Sequence, residues 1–308
     1  MAGGSNRAII AAFFANLGIA IAKLAGFVVT RSPSMLAESI HSFADTSNQG
    51  LLLYGGKAAK RAPNKRHQFG FGRERYFWAF VVALVLFSLG AGFAVFEGVE
   101  KIRHPHELSN PAVAIGILAL GVVLEGGSLR TAIIESRHIK DANQSWWNFI
   151  KQARTPELPV VLLEDLGAMV GLVLAMGAIV ISVSFDAPIW DGIGTLSIGI
   201  LLGVIAVVLA MEMKSLLIGE SAVAEDDNAI AQALVASDDV LRVIHMRTQH
   251  IGPEEILVAA KVQFRSDLTV SQMVDAIDSA ESRVREAVAM VDMIYLEPDL
   301  YDHNHPSR

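Results

Sequence analysis

His41 and Asp45 stand four residues apart in "SPSMLAESIHSFADTSNQ", and Glu164 and Asp165 stand side by side in "VLLEDLGAMVGLVLA". An imidazole with two or three carboxylates is a ligand set for a divalent transition metal, because borderline zinc accepts mixed nitrogen and oxygen donors. The same groups bind protons, so a site made of them can exchange metal for protons. Spacing supports a shared face: positions 38, 41, 45 and 48 recur every three or four residues and form one narrow helical stripe. His41 lies one turn from Asp45 on that stripe.

The elements that carry these residues are apolar. Of 308 residues, 52% are hydrophobic and 19% charged, with a mean hydropathy of +0.43; a soluble domain carries about 25% charged residues. Six segments have the roughly 20 apolar residues that a membrane helix needs: 8–30, 34–56, 77–99, 111–134, 158–183 and 190–212. Pro33, Pro105, Pro111, Pro156 and Pro188 punctuate the connections. No small-residue cleavage site follows the first apolar run, which is therefore expected to be a retained helix. Basic residues concentrate in the 57–75 connection and at Arg137, Lys140, Lys151 and Arg154, so both termini are expected in the cytoplasm, in the inner (plasma) membrane of a bacterium. Cysteine is absent, which excludes disulfides and thiolate metal sites. The net charge of −7 comes partly from the C-terminal third. The expected partners are a divalent metal ion, protons, the lipid bilayer and a second copy of the chain, with no nucleic acid and no resident cofactor.

Depth brings the two motifs together. At about 1.5 Å per residue from position 33, Asp45 lies roughly 18 Å below the outer surface, or about 12 Å above the cytoplasmic edge of a ~30 Å core. Asp165, entering from the other side near position 156, lies roughly 13 Å in. The aspartates thus share a level. Each ion at a helix centre costs about 2.5–3.5 kcal/mol on insertion scales, so such residues need a purpose. For others a structural role weighs as much or more. Lys23 and Glu38 lie at similar depths and are expected to form an internal ion pair. Glu125 either lines a vestibule or reaches the interface, and Asn16 either donates to the site or joins helices. The Gly-x-Gly in "FGFGRERYFW" follows no strand, so a phosphate loop is not expected. His303 and His305 belong to a disordered tail.

Beyond about Glu220 the pattern changes. "AEDDNAIAQALVAS" and "TVSQMVDAIDSAESRVREAV" have helical period, whereas "VLRVIHMRTQHIG", "EILVAAKVQF" and "VDMIYLEPD" read as strands, the first two joined at Gly252-Pro253. The expected fold is an all-α polytopic membrane domain of six helices (1–217), a small αββαβ domain (218–302) and a tail (303–308). About 80 residues is small for independent stability, which favours dimerisation through that domain.

With these motifs in place, "SPSMLAESIHSFADTSNQ", "HQFGFGRERYFW", "VEKIRHP", "VLLEDLGAMVGLVLA" and "YLEPD", the chain resembles the cation diffusion facilitators, the zinc transporter family, over nearly its whole length. The resemblance implies a homodimeric antiporter with six helices and a cytosolic metallochaperone-like domain, moving zinc or a related ion out of the cytoplasm in exchange for protons. It assigns His41 and Asp45 to the ligand pair of the second helix and Asp165 to the second acid of the fifth. The fourth ligand position falls on Val161, which cannot bind metal, and Glu164 is the substitute, as in a branch carrying the acidic pair "LLED". His67 matches one residue of a loop site whose partners appear here as Asn64 and Phe71, so that site is not expected. His245 and Glu297 match parts of a cytosolic two-metal cluster that is otherwise absent. Manganese, iron, cobalt or nickel are alternative cargoes. A membrane metallohydrolase would call for a motif such as His-Glu-x-x-His, which does not occur, and a non-transporting sensor is the remaining alternative.

Overall fold

The computed structural model describes residues 2–30, 33–105, 111–140 and 143–302; within these, the side chains of 2–8, 26, 27, 29, 30, 33–41, 44 and 86–88 fall outside the description. The chain divides into two compact units, Met1–Ala58 with Glu74–Lys214, and Ala59–Arg73 with Ser215–Arg308.

The first unit consists of long helices. These are α1 (Ala2–Thr30), α2 (Pro33–Ala59), α3 (Glu74–Val85) continuing through a π-helical turn at Leu86–Ala91 into α4 (Gly92–Arg103), α5 (Pro111–Ile139), α7 (Glu157–Ser184) and α8 (Ile189–Ile218). A short α6 (Trp146–Gln152) sits between α5 and α7. Of the six expected spans, four are long and apolar enough among the described residues: Glu74–Arg103, Pro111–Ile139, Glu157–Ser184 and Ile189–Ile218. The other two expected spans, α1 and α2, lie partly outside the described side chains. The described apolar part of α1 is only Ile9–Ala25, and α2 is interrupted by the polar stripe that drew attention to it. Phe14, Phe96, Val123 and Val204 point outward from their helices, as lipid-facing side chains do.

Small residues set the packing inside this unit. On α5 the buried positions are Gly121, Glu125, Ser128, Ala132 and Ser136, a stripe of three- and four-residue steps that packs on α1 and α7. On α7 the first two turns are enclosed, with Glu157, Leu158, Pro159, Val160, Val161 and Leu162 all buried. Pro156 and Pro159 are tolerated there because the first helical turn has no intrahelical acceptor to lose. Helices α4 and α8 approach through glycine: a Cβ on Gly98 would lie 2.5 Å from the Leu196 nitrogen, and one on Gly199 2.7 Å from that of Val95.

The second unit contains the expected αββαβ order: α9 (Ala224–Leu234), β1 (Val240–Gly252), β2 (Glu255–Phe264), α10 (Val270–Ala287) and β3 (Val291–Pro298). The sheet order is β1-β2-β3, antiparallel between β1 and β2 and parallel between β2 and β3, since α10 provides the crossover a parallel pair requires. Burial along β2 alternates strictly. Its inward residues Ile256, Val258, Ala260 and Val262 meet Ile230 and Leu234 of α9 and Ala276, Ala280 and Val284 of α10. A capping box, Thr269 with Gln272, starts α10. The 59–73 loop belongs to this unit: a Cβ on Gly72 would meet the Gly252 Cα at 2.7 Å and the Ile251 carbonyl oxygen at 2.8 Å.

Candidate metal centre

Consecutive residues on a helix point about 100° apart, and α7 uses this to aim two neighbouring carboxylates at different helices. Glu164 faces α2, where the Gln49 amide donates to it at 2.7 Å and the Asn48 amide at 3.3 Å. Asp165 faces α5, where the Ser128 hydroxyl donates at 2.6 Å. All five side chains are buried, with Asp165 1% and Gln49 0% exposed.

Asp45 lies three and four residues before Asn48 and Gln49, so it belongs to the same face of α2. It is partly buried and acts electrostatically on Glu164, as Asp165 does. Glu125 of α5 joins the group, feeling Asp165, Asp45 and the Lys23 ammonium of α1. Four carboxylates from three helices therefore lie within electrostatic reach of Glu125 or Glu164, with the Lys23 ammonium near Glu125. Among the described residues, no three His, Asp or Glu side chains stand at metal-holding spacing. The His41 side chain lies outside the described residues, as does that of Glu38, on which the expected pair with Lys23 depends. Val161 is fully buried.

Two features escaped sequence reading. Ser128 is a small hydroxyl residue on an apolar helix, distinguished only by lying three residues from Glu125 on one face. Arg75 and Glu157, 82 residues apart, form a bidentate pair at 2.5 and 2.8 Å joining the starts of α3 and α7. Their side chains are only 12% and 3% exposed.

In the second unit the sheet register places His245, Lys261 and Glu297 on one rung. The Lys261 ammonium bonds Asp299 at 3.1 Å and Glu297 at 3.2 Å, and Arg247 donates to His245 Nε2 at 3.0 Å. Hydrogen bonds with Asp299 and then Glu297 hold Lys261 above the usual lysine range. In the loop, Asn64 Oδ1 accepts from the Arg66 and His67 backbone, and His67 packs on the Phe71 ring. Asn64 thereby closes a turn.

Long apolar helices enclosing a buried acidic cluster, followed by a small α+β domain, define a multi-pass membrane protein equipped to handle a cation. A profile of the cation efflux transmembrane domain matches residues 9–218, and the chain belongs to the cation efflux, or cation diffusion facilitator, family. It is 31% identical over 294 residues to the proton-coupled zinc antiporter SLC30A9, mitochondrial, of Xenopus laevis, covering 94% of this chain and 52% of that protein. It is 29% identical over 269 residues to metal tolerance protein C4 of Arabidopsis thaliana, covering 86% and 58%. The chain thus spans about half the length of these relatives. A solved MamM-CTD variant is 19% identical with a TM-score of 0.24, covering 25% of this chain and 92% of that one. The mitochondrial relatives lend no support to a bacterial inner membrane.

Proposed function

We propose that the chain is a proton-coupled antiporter that exports a divalent transition metal, zinc foremost, from the cytoplasm. Asp45 and Asp165 hold the metal with His41, and Glu164 joins as the fourth ligand. The observation that carries this reading is the burial of Glu125, Glu164 and Asp165 on neighbouring helices, with Glu164 held by Asn48 and Gln49 of the Asp45 face and Asp165 by Ser128. Uncompensated, so many anions in a low-dielectric interior repel strongly; a divalent cation or protons relieve the repulsion, and one replaces the other as the carrier turns over. The proton-coupled zinc antiporter named among its relatives agrees with this cycle. On this reading all six long helices span the membrane, both termini are cytoplasmic, and the chain works as a homodimer through its small second domain. That domain carries no two-metal cluster, because Lys261 already supplies the cation beside Glu297 and Asp299.

A second reading keeps the carrier and changes the cargo. Up to four carboxylates to one imidazole make an oxygen-rich site, which favours harder ions such as manganese or iron(II). No hydrolase or sensor role has a comparable observation behind it. The test is flux across proteoliposomes for a panel of divalent ions under imposed pH gradients, with a lumenal proton reporter. Zinc uptake driven by the gradient with opposing proton movement is expected, and zinc movement indifferent to the gradient would refute the antiport.

A further inference from the structure

Asn48 and Gln49 each use one end of the side-chain amide and leave the other end unused. A carboxylate accepts hydrogen bonds and cannot donate them, so both amide nitrogens must face Glu164, as they do at 3.3 and 2.7 Å. The carbonyl oxygens are thereby turned elsewhere. Among the described residues neither Asn48 Oδ1 nor Gln49 Oε1 meets a donor, although both atoms are shut off from solvent. The residues themselves are 1% and 0% exposed.

Burying a carbonyl oxygen with neither a donor nor a cation beside it costs free energy. Here two such oxygens stand on consecutive residues beside one buried carboxylate. Holding that carboxylate does not by itself require them. The neighbouring Asp165 is held by the single hydroxyl of Ser128, which brings no spare carbonyl into the interior. Amide oxygens are neutral, hard donors of the kind that calcium, magnesium and manganese take up. Zinc is satisfied by four ligands, the number that His41, Asp45, Glu164 and Asp165 supply, whereas an octahedral ion needs further oxygens. Asn48 and Gln49 follow Asp45 by three and four residues, so the same face of α2 can offer them.

We propose that Asn48 Oδ1 and Gln49 Oε1 are cation ligands. They raise the affinity of the centre for a hard, six-coordinate divalent ion such as manganese(II) relative to zinc. The proposal rests on the reading of this centre as a cation site and adds to it the residues that set which ion is held.

The experiment titrates the full chain in lipid nanodiscs with manganese(II) and with zinc by calorimetry, unaltered and as Gln49→Met and Asn48→Leu. Both variants also free Glu164, but that change acts on both ions, so the ratio of the two affinities isolates the amide oxygens. The manganese-to-zinc ratio should fall by roughly ten-fold or more in each variant. A ratio that stays the same or rises would overturn the proposal and leave the amides as hydrogen-bond partners of Glu164 alone. Should the variants fold poorly, electron–nuclear double resonance reads the contact in the unaltered chain. Manganese(II) must then couple to isotope-labelled side-chain carbonyl carbons of glutamine and of asparagine, and the lack of either coupling sinks the idea. The two readings fail separately. An unaltered ratio with gradient-driven zinc flux intact removes this proposal and leaves the carrier, whereas carbonyl coupling in a chain that moves no metal removes the carrier and leaves the ligands.

Discussion

Replacing Gly98 by alanine tests the seam between α4 and α8. In an open helix this change stabilises, since glycine costs about 1 kcal/mol relative to alanine. At Gly98 the added Cβ would lie 2.5 Å from the Leu196 nitrogen and 2.7 Å from its Cα. Both are backbone atoms that no rotamer change can move, so the helices must separate by most of an ångström. Gly192 and Gly199 make comparably close approaches, 2.8 Å to the Ile102 nitrogen and 2.7 Å to the Val95 nitrogen, so opening one point loosens the whole seam. The bond from Lys101 to Asp191 at 3.1 Å, which closes its end, loosens with it. Overpacking of this kind costs about 1–3 kcal/mol; less the propensity gain of about 1 kcal/mol, a net loss of up to about 2 kcal/mol remains, or up to roughly thirty-fold in the unfolding constant. The control is Gly177→Ala on α7, where nothing lies within 4 Å of the added carbon; it should be neutral or stabilising by up to about 1 kcal/mol. Unfolding in mixed micelles titrated with dodecyl sulfate, followed by tryptophan fluorescence, compares the two. If Gly98→Ala proves as stable as Gly177→Ala, the close seam is not a feature of the folded protein.

Three further outcomes are expected. Arg75→Met strips the buried Glu157 carboxylate of its bidentate partner and should destabilise by about 3–5 kcal/mol, whereas adding Glu157→Met should recover most of the loss; additive losses in a double-mutant cycle would show that the pair is not coupled. Ser128→Ala removes the hydroxyl that orients Asp165 and should weaken zinc affinity by roughly ten-fold or more while leaving the protein folded, as calorimetric titration of the purified carrier will read. Glu255 is pushed above the usual carboxylate range by burial, then by Asp292 and Glu254, so its charged form opposes folding. Glu255→Gln should therefore slow hydrogen exchange along β2 at neutral pH, with the gain vanishing as pH falls below the carboxylate range and both side chains become neutral.

Legibility in the sequence followed the distance over which each feature is encoded. The second unit's strands were readable because alternation, the Gly252-Pro253 turn and the charged helix faces are all local, and observed strands and expected segments coincide within a residue. The long helices were readable from hydropathy, except that the polar stripe that made α2 conspicuous also kept it from qualifying as an apolar span. The His41–Asp45 spacing stands out in the sequence because an i, i+4 pair is local, but the His41 side chain lies outside the described residues. Arg75–Glu157 does not stand out, because nothing near either residue encodes a partner 82 positions away. The stripe Gly121–Glu125–Ser128–Ala132–Ser136 was available: small and polar residues at helical spacing in an apolar span mark its buried face, and they would have placed Ser128 and Glu125 together beside α7.

The adjacency of Glu164 and Asp165 also constrains how a metal could be held. Ligands spaced by four share a face and can close on one ion; of two neighbours about 100° apart, one must swing round to do so. Asp165 turns to α5 and Glu164 to α2, where two amides already hold both oxygens of Glu164. A metal at the level of Asp45 must draw Glu164 away from Asn48 and Gln49, exchanging bonds worth about 1.5–3 kcal/mol each for a coordinate bond. The amides therefore do two things. They give an otherwise unpaired buried carboxylate a stable resting place, and they set a cost that only a strongly binding cation can meet. On the proposed reading, in which Glu164 is the fourth ligand of a carrier, this second resting place would let the metal leave without stranding a charge in the bilayer.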